Sequence, residues 1–117
     1  MASTKIRSLQ SQSFKTGPQS IVSGGLFVFT HGLGVIPSRI KAEIVCVSDD
    51  AGYLSGDRTA CLHDTSVNRG HSIVSDDVFV YVRFGFNQMS YPLINKTSGK
   101  GDAAKNIKWK VEFQAFS

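Results

Sequence analysis

The side chains that could carry chemistry in this chain are three histidines, His31, His63 and His71, together with Asp49, Asp50, Asp57, Asp64, Asp76 and Asp77. A general base must sit within hydrogen-bond reach of the proton it removes, with a pKa tuned by burial or charge. Nothing in the spacing of these residues brings them together. His31 falls in a glycine turn, where its expected work is capping backbone groups or packing at a strand end. His63 and His71 flank the DTSVNRG stretch at 64–70 and lack the HxH or HxxxH spacing of a metal pair, so no metal site is expected. GGLFVF at 24–29 has no following GK, and HGLG at 31–34 runs into Pro37 and a strand instead of a helix N-terminus, so neither is a phosphate loop. No GxSxG motif is present. The expectation is a protein that is not an enzyme, with no catalytic residues and no cofactor.

Binding chemistry has a better candidate. Sugar sites stack a ring on a pyranose face and hold its hydroxyls with Asp, Asn, Arg or His, because such aromatics combine an apolar body with a polar tip. Tyr53, Tyr91 and Trp109 are the amphipathic aromatics. Tyr53, with Asp49, Asp50, Asp57 and Arg58 around it, is the expected ligand-binding constellation. Trp109 alternates with apolar residues and reads as core or subunit interface first.

The elements that would position these groups read as strands. Arg39, Lys41 and Glu43 alternate with Ile40, Ala42, Ile44 and Cys46, a half-buried strand of period two. The stretch 107–115 gives the cleanest alternation, with Ile107, Trp109, Val111, Phe113 and Ala115 on one side. At 78–84, Val78, Val80 and Val82 share one face with Phe84, while Phe79 and Tyr81 share the other with Arg83. Both faces are largely apolar, so Val78, Val80, Val82, Phe79 and Tyr81 are expected at a subunit interface or under a second sheet. Residues 96–106 read as a loop without core. No segment has helical periodicity over ten or more residues. About six to seven strands separated by turn signals predict an all-β fold, an antiparallel β-sandwich.

Composition sets bounds. The chain has 117 residues, one domain's worth. At 41% hydrophobic residues its core is small, so association with copies of itself would help. A net charge of +4 without a run of five basic residues argues against a nucleic-acid patch. No apolar stretch approaches the ~20 residues needed to span a bilayer, so no membrane insertion is expected. Residues 1–17 are polar, lack the apolar core of a signal peptide, and read as an arm or tether ahead of a domain at 18–117. A protein made in a reducing cytosol keeps Cys46 and Cys61 as two buried thiols more often than as a disulfide.

The order HGLGVIP at 31–37, a strand ending in Cys46, and AGYLSGD at 51–57 resembles a small β-domain of phage tail-fibre and other virion proteins. The resemblance extends over SIVSDDVFVYVRFG at 72–85 and INKTSGKGDAAKNIKWKVEFQA at 94–115, and so over most of the chain. Where the pattern carries an Ala-Glu pair before GY, this chain has Asp49-Asp50-Ala51. Such domains are similar to trimeric lectin-like sandwiches. The resemblance therefore implies a homotrimeric virion protein, made in the bacterial cytoplasm, that attaches to a host-surface glycan. The N-terminal arm would contact other virion proteins. A capsid decoration or head-fibre protein of the same fold is the alternative, and a stand-alone lectin a third.

Overall fold

The computed structural model describes residues 12–117, which form ten strands in antiparallel sheets and two short 3-10 turns. The central pair is β4 (Arg39–Cys46) and β10 (Trp109–Phe116), in register from Trp109 opposite Cys46 to Phe116 opposite Arg39. β5 (Arg58–Ala60) extends the sheet beyond β4, while β1 (Ser13–Lys15) and β2 (Gln19–Ser20) pair with the other edge of β10. A second sheet has the order β3 (Leu26–Thr30), β7 (Phe79–Phe84), β6 (His71–Ser75), and β8 (Tyr91–Ile94) pairs with β9 (Gly101–Ala104) in a third.

The alternation in β10 has a direct physical outcome. Trp109, Val111, Phe113 and Ala115 are buried, and the charged or polar residues between them face outward. Phe113 is the hub: its ring lies 6.0 Å from Phe27, 6.1 Å from Phe29 and 5.4 Å from His71. These partners come from the second sheet, so Ile44, Val111 and Phe113 share one core with Val80, Val82 and Phe84.

Several expectations change here. Val80 and Val82 are fully buried inside the single chain, where the large sheet covers them, which is the second-sheet alternative for that face. The other face of β7 carries Phe79 and Tyr81 toward solvent, 37% and 36% exposed, and Val78 just before the strand is also exposed. Ile107 lies in a 3-10 turn with 85% of its surface exposed, so the buried alternation starts at Trp109. Residues 101–104, read as loop, form β9 by pairing with β8, with Ala103 and Ala104 buried. The expected arm at 1–17 falls largely outside the described residues, and its described end contains β1, hydrogen-bonded to β10. Cys46 and Cys61 are free thiols.

Removing the Phe113 ring leaves a cavity where the two sheets meet. Phe113→Ala should lower stability by about 3–5 kcal/mol, whereas Ile107→Ala should change it by no more than about 0.5 kcal/mol. Urea unfolding of both variants measures the contrast, and equal effects would contradict this core.

Candidate functional site

The loop at 48–57 begins where Cys46 leaves β4. The Cys46 backbone binds Asp57 O and Gly56 N, so the loop closes on its own base, and the thiol donates to Ser48 O at 3.2 Å. Burial pushes the Cys46 pKa up, keeping the thiol protonated as that donor. Within the loop Asp50 and Tyr53 exchange two backbone bonds across a tight turn, with Ala51 at φ 52°.

Each expected ligand residue is already engaged. The Asp50 carboxylate accepts the buried Trp109 indole N–H at 3.0 Å and the Lys105 N–H at 3.0 Å through the same Oδ2. Asp49 accepts Ser55 N–H. Asp57 accepts Leu54 N–H and pairs with Lys96 at 2.7 Å, which holds its carboxyl below the usual range. Arg58 reaches across the wet face of the large sheet to Glu112 at 2.9 Å and Glu43 at 3.3 Å. The Tyr53 ring meets Trp109 edge-on with centroids 5.4 Å apart, Lys96 sits over it at 5.9 Å, and its hydroxyl donates to Ile94 O. The half-buried Tyr53 ring and the carboxylates around it thus anchor the loop through contacts within the chain.

His31 is structural in the same sense. It is 2% exposed, and its Nδ1 accepts Leu33 N–H, which leaves Nε2 as the atom that donates to Asp76 O at 2.9 Å. The imidazole thereby ties the HGLG turn to the turn between β6 and β7. Gly32 and Gly34, at φ 67° and 74°, give the turn a backbone path that side chains disfavour. Asp76 accepts the N–H groups of Val78 and Phe79, and Asp64 caps the 3-10 turn at Thr65–Val67 through Ser66 N–H.

Spacing alone gave no reason to bring histidines together, yet the fold does so. The bridge between Asp64 and Arg69 folds the 64–70 loop back on itself and stacks His63 edge-on against His71, with centroids 4.7 Å apart. His71 points inward from β6 and shares a 2.6 Å hydrogen bond with the hydroxyl of Tyr91, which is fully buried. Burial, reinforced by His63, pushes the His71 pKa down to about 4. Burial also pushes the Cys61 thiol up to about 12 and the Tyr91 phenol above its usual range. Neither the thiol nor the phenol ionises near neutrality, so the cluster is a hydrogen-bonded core plug lacking an activated nucleophile. Among the described residues no group of three or more His, Cys, Asp or Glu side chains is placed to hold a metal.

Beside this cluster lies a cleft of about 280 Å³ between the 64–70 loop and the chain just after β7, reaching Arg83 and Phe86. The sequence signal for it was slight: a phenylalanine in a Gly-Phe-Asn turn that no strand claims. Phe86 is 78% exposed. Among the described residues no helix is long and apolar enough to cross a membrane. No protein-family profile and no curated protein matches the chain.

Two measurements test these assignments. Asp50→Ala leaves the buried indole N–H without its acceptor and should cost about 1–3 kcal/mol, with a change in Trp109 fluorescence; an unchanged spectrum and midpoint would oppose the anchor role. For His71 the folded pKa lies below the unfolded value of 6.5. Its contribution is therefore complete above pH 6.5, falls away toward pH 4 and is absent below. The loss should reach at most about 3 kcal/mol and should vanish in His71→Gln, as read by urea midpoints between pH 7 and 4; a flat wild-type profile would contradict it.

Proposed function

We propose that this chain is a β-sandwich module of a bacteriophage particle that assembles as a homotrimer and serves attachment to the host surface. The observation that carries the self-association is the outer face of the three-stranded sheet. There Leu26 and Val28 of β3, Tyr81 and Phe79 of β7 and Val74 of β6 are all exposed, Val74 by 68%. The register sets Val28 and Val74 on either side of Tyr81 and Phe79 opposite Thr30, so these side chains form one continuous surface. A contiguous apolar sheet face of this kind marks an interaction site more often than a solvated surface. A second copy suits it, because a small domain gains burial by associating with itself.

The virion context rests on the ordered HGLG, Cys46 and GYLSGD signature, whose residues here build the loop anchor and the His31 clamp. Trimeric presentation would raise a weak single-site affinity by avidity. The polar segment preceding Gln12 is the link to other particle proteins in this reading.

Light scattering on the purified chain should report three copies, and Tyr81→Glu should convert it to a folded monomer because the substituted side chain is outside the core. A trimer unaffected by Tyr81→Glu would overturn this packing. Immunogold labelling of intact particles then separates the functions. Label at the tail tip supports attachment, label over the head shell supports a decoration protein instead, and unlabelled particles would defeat both.

A further inference from the structure

We propose that the cleft between the 64–70 loop and Arg83–Phe86 is a binding site for a sugar ring that carries a carboxylate. This deepens the attachment reading and rests on it. Thr65 and Asn68 of the loop line the cleft together with Arg83 and Phe86, and Ser72, paired with Arg83 across the sheet, lines it as well. No acidic side chain among the described residues lines the cleft. Among the described residues Arg83 forms no ion pair, and one of its N–H groups donates to Gly24 O at 3.0 Å. That bond points the guanidinium while leaving other donors of the fork for a planar anion.

Phe86 supplies the second half of the recognition. Its ring closes over Gly24, where an added Cβ would approach the ring at 2.9 Å, and the rest is open to solvent. An exposed aromatic next to an arginine with no acidic partner among the described residues is what an acidic pyranose requires: a face to stack its C–H groups on and a cation for its carboxylate. Hydroxyl and amide groups from Thr65, Asn68 and Ser72 match the remaining sugar hydroxyls. The volume of about 280 Å³ admits one such ring.

The cleft is also braced. Gly85 N–H donates to Gly70 O at 3.0 Å, and a side chain at Gly85 would run into the Asn68 carbonyl. Asn87 donates to Val67 O and thereby ties the loop to the segment after β7. Behind Asn87, the buried Asn106 donates to Asn87 O and accepts Ser90 N–H at 2.8 Å. Both walls are thus held before any ligand arrives, which lowers the ordering cost of binding.

The test is an NMR titration of the purified chain with methyl β-glucuronide, methyl β-glucoside and inorganic sulfate. Methyl β-glucuronide should move the amide signals of Gly70, Ser72 and Gly85 and the Phe86 ring protons. The neutral glucoside should bind at least about tenfold more weakly, and sulfate should leave the Phe86 ring protons in place. Arg83→Gln and Phe86→Ala, both at exposed positions and checked by near-UV circular dichroism, should each weaken the glucuronide about tenfold or more. Equal shifts with the glucoside, ring shifts with sulfate, or glucuronide binding unchanged in folded Arg83→Gln would overturn the site. Particles that carry the protein at the tail tip while the glucuronide leaves the cleft signals unmoved would sink this inference and retain the attachment reading.

Discussion

An indole buried at the start of β10 must find an acceptor for its N–H, and the Asp50 carboxylate provides it. Much of the loop architecture follows from that requirement. Holding Asp50 against Trp109 fixes the tight turn to Tyr53, which lays the Tyr53 ring on the indole edge. The Tyr53 hydroxyl then reaches Ile94 O, and Ala51 O accepts Lys96 N–H, so the β8–β9 hairpin is fastened to the same point. The second acceptance by Asp50, from Lys105 N–H, sets where the chain turns from β9 into β10. One carboxylate thus connects the large sheet, the 48–57 loop and the small hairpin. A buried polar group is tolerated only when its bonds are made, and here they are made by the elements it joins.

How far the sequence discloses this depends on the kind of signal. Period-two alternation reports a strand with one wet face, so β4 and β10 were legible almost to their ends. The short strands were not, because Ser13–Lys15 and Gly101–Ala104 carry no alternation of their own and exist through their partners. The two apolar faces of β7 were legible as apolar, but the pattern does not say which face the chain itself covers. His63 and His71 meet because a seven-residue return loop places them together, which is a property of the turn at 64–70 and not of their spacing.

The Tyr53 constellation shows a different limit. An aromatic surrounded by carboxylates and an arginine has the composition of a sugar site, yet composition leaves open whether the polar atoms are free. In the fold Asp49, Asp50 and Asp57 each accept a backbone or indole N–H. His31, Cys46, Tyr53 and Asp57 all bond within the chain, so each of them has a structural task in the turns and loops that join the sheets.

The two thiols carry a last consequence. Thiolate is the species that attacks a disulfide or an oxidant, and burial pushes the Cys61 pKa up to about 12, so the protonated thiol predominates at neutral pH. Burial raises the Cys46 pKa as well. Both cysteines are therefore unpaired thiols whose ionisation is opposed by burial.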